Sequence, residues 1–419
     1  MEILEDLAWR GAINQQTDEE GLKEYLQDHK ITLYCGVDPT GDSLHIGHLI
    51  PFMVLKRFQK EGHHPVILIG GATGTIGDPS GKKEERTLQS LEVVHENAEK
   101  LTKQMKKLFV NDEQDDIRIV NNYDWTSQLT LLDFLRDFGK LFNVNTMLNK
   151  EIVASRLEVG ISYTEFTYQI LQAMDFLHLF REENVQLQVG GADQWGNITA
   201  GLELIRKVEG PEASAFGLTI PLMLKADGTK FGKTAGGAVW LDPEKTSPYE
   251  FYQFWVNTAD TEVVKYLKYF TFLSHEEIEA LEKEVQDNPK ERQAQKVLAE
   301  EMTRFVHGEE GLKDALAITN ALFNGDIESL SADQIKDGFG KMPGKEVDGK
   351  EENLAIWLVD NGIESSRRQA REDIKNGAIY INGKKVQDIE ANISKENAIE
   401  GRYIVVRRGK KNYFLMTIA

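Results

Sequence analysis

The sequence predicts an α/β fold built on a parallel sheet, followed by a helical region and a small α+β module. Three observations carry that expectation. In the first half of the chain, short apolar runs alternate with helical periodicity. Each run ends in a glycine or a short polar turn. After Trp240 the strand pattern gives way to helical periodicity, and it changes again near Glu351.

Ile31-Thr-Leu-Tyr-Cys-Gly reads as the first strand. Pro65-Val-Ile-Leu-Ile-Gly is a continuous apolar run of the kind buried on both faces. Val185-Gln-Leu-Gln-Val alternates and runs into Gly190-Gly191. Such a sheet is Rossmann-like, and its ligands bind beyond the carboxyl ends of the strands. Residues 1–240 are read as this domain, with an inserted connective segment. Residues 241–325 read as helical, with Ser274 before Glu276 and Glu277 as a start signal. Residues 326–350 are rich in Gly, Asp, Lys and Ser and carry Pro343, which predicts a linker with a mobile part. Residues 351–419 read as a separate small domain.

With 419 residues, 41% of them hydrophobic, the chain can bury a sizeable core over two or three domains. No apolar run of about 18 residues predicts a membrane span. The acidic start, Met1-Glu-Ile-Leu-Glu-Asp, does not read as a secretory signal. Cys35 is the only cysteine, so no internal disulfide can form, and a cytoplasmic location is expected. The net charge of −19 by itself argues against a nucleic-acid partner. Residues 351–419, however, hold 12 Lys and Arg against 10 Asp and Glu, or +2, leaving −21 for the rest. A mildly basic tail on an acidic body points to local contact with a polyanion.

The strongest local signal is Asp38-Pro39-Thr40-Gly41-Asp42-Ser43-Leu44-His45-Ile46-Gly47-His48, which follows the first strand and opens a helix running to about Gln59. A helix start offers free N–H groups and partial positive charge to phosphate. Gly47 lets a nucleotide pack closely. Thr40, His45 and His48 add donors. Two histidines three apart would, in isolation, be read as surface residues or a metal pair. The segment resembles the HIGH signature of class I aminoacyl-tRNA synthetases. The family's second motif, a mobile lysine loop, stands here as Lys230-Phe231-Gly232-Lys233-Thr234, in the Phe-Gly form typical of tyrosyl members. Lysines beside glycines can swing onto a triphosphate. Gly70-Gly71-Ala72-Thr73-Gly74-Thr75-Ile76-Gly77 fails the dinucleotide fingerprint at Ala72, and no P-loop is present. Asp78-Pro79-Ser80-Gly81-Lys82 follows it, with Arg86 beyond.

Gly190-Gly191-Ala192-Asp193-Gln194 ends the third strand, where an acidic side chain can hold ribose hydroxyls. The matching synthetase motif makes Asp193 the ribose candidate, with Gly191 beneath the sugar, Gln194 beside it and Cys35 nearby. Cys35 reads equally as an inert core residue. The resemblance implies an ATP site of Cys35, Gly36, Asp38, Thr40, His45, Gly47, His48, Gly191, Asp193, Gln194 and Lys233. It also implies catalytic roles for Thr40, His45, His48, Lys82, Arg86, Lys230, Lys233 and Thr234. ATP enters as substrate with Mg²⁺ on its phosphates. No Cys/His cluster for zinc is apparent, and no bound metal or organic cofactor is expected.

In Tyr163-Thr-Glu-Phe-Thr-Tyr-Gln-Ile-Leu-Gln-Ala-Met-Asp-Phe, Tyr168, Gln172 and Asp175 share one helical face. Periodicity alone leaves open a water-facing stripe. The pattern resembles the substrate helix of tyrosyl-tRNA synthetases, paired with the strand Tyr34-Cys35-Gly36. That resemblance implies that Tyr34 and Asp175 hold the substrate phenol, and that Asp78, Tyr168 and Gln172 hold its ammonium.

Ser365 to Lys384 reads as a helix and a hairpin, with Arg367, Arg368, Arg371 and Lys375 on one face spaced for phosphates. Arg407-Arg408-Gly409-Lys410-Lys411 adds a second basic cluster. The pattern resembles a ribosomal small-subunit RNA-binding domain that also ends bacterial-type tyrosyl synthetases. Arg206 and Lys207 are candidates for the acceptor stem, or plain surface. The resemblance covers Asp6 to Leu415 and implies tyrosine, ATP and tRNA(Tyr) as partners and a homodimer, with Tyr163 and Leu131 to Phe142 as interface candidates. A tryptophanyl synthetase and a non-catalytic RNA-binding paralogue are the rival readings.

Overall fold

The computed structural model describes residues 2–81, 84–110, 117–225, 228–229, 231–234 and 237–419. They form two compact units. One comprises residues 1–245 and 258–298, the other residues 246–257 and 299–419.

The first unit is built on six strands: β1 (Gln15–Gln16), β2 (Thr32–Val37), β3 (His64–Ile69), β4 (Arg118–Asn121), β5 (Val185–Gly191) and β6 (Phe216–Ile220). Their order in space is β1-β6-β5-β2-β3-β4. All neighbours run parallel except β1, which pairs antiparallel with β6. The chain winds outward from β2 through β3 to β4, then returns to place β5 on the other side of β2. The order therefore reverses between β2 and β5, and their carboxyl ends open a crevice at that switch point. In register, Tyr34 lies between Val66 of β3 and Gln188 of β5.

The expected strands are all present. β1, β4 and β6 were not foreseen. β4 is four residues long, and Gly217 interrupts the apolar run of β6.

Helix Ile46–Lys60 leaves β2, and His45 caps it by accepting the Gly47 N–H at 3.0 Å. Helix Tyr163–Glu182 is capped by Ser162. Phe176, Leu177, Ile170 and Ala173 on this helix join Tyr34, Val66 and Leu68 of the sheet in one buried cluster. Helix Trp195–Glu209 crosses it at Gly201, where a Cβ would stand 2.9 Å from the Phe176 ring. Burial of such side chains, at about 25 cal/mol per Å², is what holds the layers together.

The second unit contains helix Pro248–Val256, helix Ala332–Phe339 and a five-stranded sheet. Its strands are β7 (Gly344–Val347), β8 (Ile379–Ile381), β9 (Lys384–Val386), β10 (Tyr403–Arg408) and β11 (Asn412–Ile418), ordered β9-β8-β10-β11-β7. β7 runs parallel to β11; the other pairs are antiparallel. The stretch 326–350, expected to be a linker, therefore holds a helix and a strand. Leu330, Ile335 and Phe339 are buried with Ile399, Tyr403, Val405 and Leu415. Polar and glycine residues dilute that apolar spacing enough to hide it in the sequence.

Candidate active site

The crevice between β2 and β5 is lined from below by a buried polar network. Asp175, on helix Tyr163–Glu182, accepts two hydrogen bonds at 2.9 Å, from Asn122 Nδ2 and from the Trp125 indole N–H. Asn122 also donates to Thr73 Oγ1 at 2.9 Å, and Thr73 donates to Asp38 Oδ1 at 2.7 Å. Tyr168 donates its hydroxyl to the other Asp38 oxygen at 2.9 Å. Two residues directly after β4 thus reach across the sheet to a helix fifty positions later. Gly70 is required at this point, because a Cβ there would lie 2.0 Å from Asp38 Oδ1.

Tyr34, 1% exposed, packs against Phe176 at 5.4 Å between ring centroids. Its hydroxyl oxygen is buried and has no hydrogen-bond partner among the described residues. Gln188, its neighbour on β5, likewise has a buried and unpartnered amide oxygen. Leaving a hydroxyl so placed costs about 1–3 kcal/mol, which a ligand atom can recover.

Burial dominates the electrostatics. It pushes Asp175 up to about 7, against the two donated hydrogen bonds and with the Asp38 charge adding to it. Burial and the Asp78 charge raise Asp38 to about 6, opposed by the bonds from Thr73 and Tyr168 and by Arg86. The Tyr34 hydroxyl is pushed well above its usual range by burial and by Asp175, so it keeps its proton. Asp78 accepts from the Ser80 N–H at 2.9 Å and from Gln194 Nε2 at 2.8 Å. Three carboxylates share this pocket, which therefore favours a cation among them and a hydroxyl donor at Asp175. Gln172 stands half-buried one turn beyond Tyr168.

The side of the crevice expected to take the nucleotide joins the two distant motifs. Gly232 and Gly47 touch: a Cβ on Gly232 would lie 3.1 Å from the Gly47 nitrogen. Val239 links them, accepting the Ile46 N–H at 3.0 Å and donating its own to Gly232 at 3.1 Å. Phe231 is buried and stacks on Phe270 at 5.1 Å. Lys233–Thr234 pairs antiparallel with Gly237–Ala238. Lys82 and Lys230 lie outside the described residues. His45 and His48 stack at 3.9 Å, and burial together with His45 lowers His48 to about 3, so it stays neutral. Thr40 is exposed on a cleft of 310 Å³ shared with Gly74, Gly77 and Arg86. Arg86 turns its Nε back onto the Asp78 carbonyl at 3.1 Å.

Asp193 is exposed after β5, with its Oδ1 lying over Gly191, 2.6 Å from where a Cβ there would stand. Cys35 is buried, its thiol pushed up to about 12, and it directs its S–H to the Gly36 carbonyl at 3.6 Å. It is therefore an inert thiol at neutral pH. The crevice thus brings together the expected residues of β2, the HIGH-like segment, helix Tyr163–Glu182 and the end of β5. Asp38, expected on the nucleotide side, accepts hydrogen bonds from Thr73 and Tyr168 and so joins the network that includes Asp175.

The sequence reading missed Asn122, Trp125 and Thr73. The signal available was the polar run Asn121-Asn122-Tyr123-Asp124-Trp125 at a strand's end, but β4 itself was not recognised.

In the second unit, Arg367, Arg368, Arg371 and Lys375 are all exposed along helix Arg367–Lys375, and Lys410 and Lys411 are exposed at the β10–β11 turn. Arg407 lies over the Tyr380 ring at 3.7 Å and Arg408 over Phe414 at 6.0 Å. Arg408 also donates to the Ile363 carbonyl and pairs with buried Glu364 at 3.5 Å, so its guanidinium is already engaged within the protein.

Among the described residues, no helix is long and apolar enough to cross a membrane, and no group of three or more His, Cys, Asp or Glu is placed to hold a metal ion.

Comparison with known proteins agrees with this geometry. Residues 26–324 match the family described as tRNA synthetases class I (W and Y). Residues 334–416 match the tyrosine–tRNA ligase SYY-like C-terminal domain. A curated tyrosine–tRNA ligase 2 of Bacillus cereus (strain ZK / E33L) is 66% identical over 418 residues, covering 100% of both chains. The tyrosine–tRNA ligase of Limosilactobacillus reuteri is 65% identical over the same span, again covering 100% of both chains. Among solved structures, a C-terminally truncated mitochondrial tyrosyl-tRNA synthetase of Aspergillus nidulans superposes with a TM-score of 0.68 at 33% identity, over 77% of this chain and 94% of that one. The chain belongs to the class I tRNA synthetases of the tryptophan and tyrosine family.

Proposed function

We propose that this chain is a tyrosine–tRNA ligase. It activates L-tyrosine with ATP, giving tyrosyl-adenylate and pyrophosphate, and transfers the tyrosyl group to the terminal adenosine of tRNA(Tyr). The observation that carries this reading is the pairing of a buried, unpartnered Tyr34 hydroxyl with the buried Asp175 carboxylate. Only a ring bearing a hydroxyl satisfies both.

In this reading the substrate phenol donates to Asp175 and accepts from Tyr34. Asp78, Tyr168 and Gln172 receive the ammonium, with Asp38 fixing the Tyr168 hydroxyl. Asp193 and Gly191 receive the ribose. Thr40, His45 and Arg86 meet the phosphates, and the resemblance adds Lys82, Lys230 and Lys233 to that role. His48, neutral and buried, packs beside the ribose or adenine ring. Tyrosine's carboxylate is already ionised at neutral pH and attacks the α-phosphate without a general base. The protein's work is alignment and stabilisation of charge moving onto pyrophosphate. Mg²⁺ arrives on the triphosphate as part of the substrate. Arg367, Arg368, Arg371, Lys375, Arg407, Arg408, Lys410 and Lys411 form the tRNA face. The exposed Leu131, Leu132 and Tyr163 support a homodimer.

Pyrophosphate exchange with tyrosine, tryptophan and phenylalanine tests the reading. Exchange with tyrosine alone is expected; exchange driven better by tryptophan would refute it.

A pH profile gives a second check. Asp175 at about 7 must lose its proton to accept the phenol. The profile of kcat/KM reports groups on the free enzyme. For tyrosine, kcat/KM is expected to rise through about pH 7 and to flatten above it. A flat profile between pH 6 and 8 would remove Asp175 from the phenol. The same shift acts on stability. The folded protein holds this proton more tightly than the unfolded chain, whose carboxyl titrates near 4. Ionising Asp175 therefore costs stability, present in full below about pH 4 and lost as pH rises through about 7.

A further inference from the structure

We propose that the buried pair Arg156–Glu165 positions Arg86 at the phosphate side of the site. Both side chains are almost fully buried, at 2% and 1% exposure, with Arg156 Nη2 2.8 Å from Glu165 Oε2. Nothing in the reading above uses them. The other Glu165 oxygen, Oε1, accepts the Arg86 backbone N–H at 3.2 Å. Arg156 Nη2 also donates to the Gly160 carbonyl at 3.3 Å, while its Nε and Nη1 are buried without partners among the described residues. A charge pair taken so far out of water is a weak source of stability, so what it does here is read from what it holds.

Glu165 lies in the first turn of helix Tyr163–Glu182, one turn before Tyr168. From there it clamps the far end of the loop that begins at Gly77. Arg86 closes that loop by donating Nε to the Asp78 carbonyl, and its side chain lies along Gly77, where a Cβ would be 3.3 Å from it. The clamp thus fixes Arg86 against the helix that carries Tyr168 and Asp175, while the Asp78 carboxylate is held separately by the Ser80 N–H and Gln194 Nε2. Arg156 holds the Glu165 carboxylate so that Oε1 faces the loop. Glu165 and Arg156 are positioning residues: neither reaches the substrate. The inference rests on the reading of Arg86 as a phosphate contact.

Two double variants test it, since removing both charges together leaves neither buried alone. Arg156→Met with Glu165→Leu takes away the acceptor for the Arg86 N–H. It is expected to lower kcat for pyrophosphate exchange about tenfold, the worth of one hydrogen bond to a charged group, with KM for tyrosine unchanged. Arg156→Met with Glu165→Gln keeps an acceptor and is expected to recover most of that loss. Wild-type kcat in the Leu variant, or an equal rise in KM for tyrosine, overturns the proposal. If the Leu variant does not fold, Glu165→Asp draws the acceptor back by one methylene, and an unchanged kcat there overturns it equally. Arg86→Ala separates the two claims. If Arg86→Ala is inert, the phosphate reading and this inference fall together. If it is damaging while the Leu variant is unaffected, only the inference falls.

Discussion

Replacing Asp175 by alanine is expected to collapse the preference for tyrosine over phenylalanine. Tyrosyl enzymes as a class reject phenylalanine by about 10⁵ without editing, because the unfilled site leaves buried polar groups unpaired. Here those groups are the Asp175 carboxylate and the Tyr34 hydroxyl. With alanine at 175, tyrosine loses a hydrogen bond to a charged acceptor, about 1.5–3 kcal/mol or ten- to a hundredfold in kcat/KM. Phenylalanine meanwhile no longer strands a buried charge and gains. The ratio of the two kcat/KM values should fall by several orders of magnitude, measured by exchange with each amino acid. Retained selectivity would refute the phenol assignment. Asn122 and Trp125 sharpen the expectation. Each already occupies one Asp175 oxygen, so the carboxylate is held in one orientation and a shifted side chain cannot substitute for it.

Removing the C-terminal region is expected to abolish tRNA charging while sparing adenylate formation. On the proposed reading, the exposed arginines of helix Arg367–Lys375 and the ring-stacked Arg407 supply phosphate contacts, and losing six to eight such contacts costs orders of magnitude in affinity at physiological salt. The structure fixes where to cut. A deletion of residues 351–419 would strand β7 without β11 and uncover Leu330 and Phe339. Ending the chain after Asn324 removes β7, Leu330 and Phe339 together with their partners and uncovers Ile318 and Ala321 instead, which a polar substitution at each would offset. The product is expected to form tyrosyl-adenylate at the wild-type rate and to leave tRNA uncharged. Normal charging by the truncated chain would remove the tail from the tRNA face.

Much of this was legible in the sequence, and the reasons are local. The HIGH-like segment, the lysine loop and the helix bearing Tyr168 and Asp175 each carry a recognisable pattern within about a dozen residues, and the first and last lie on helices with side-chain caps. The fold class followed from β2, β3 and β5, the long apolar strands of the sheet. What escaped was set by non-local packing. Asn122 and Trp125 gain meaning only because β4 pairs with β3 and so faces helix Tyr163–Glu182. Nothing in the sequence marks Glu165 and Arg156 as buried; the structure pairs them with each other and with the Arg86 N–H and Gly160 carbonyl. The apolar spacing of residues 326–350 is sparse, and its partners Val405 and Leu415 lie some seventy residues further on.

The way the chain passes between the two units bears on how the protein emerges during synthesis. Helix Pro248–Val256 belongs with residues 299–419, yet it is made before residues 258–298, which complete the other unit. Its Phe251 ring finally sits 4.8 Å from His307. Until that partner leaves the ribosome, Phe251 lacks its His307 contact and keeps only local ones such as Trp255 on its own helix. At roughly 5–20 residues per second this interval lasts a few seconds. The nascent chain therefore carries an aromatic segment that must wait, and slow translation between codons 258 and 307 lengthens the wait.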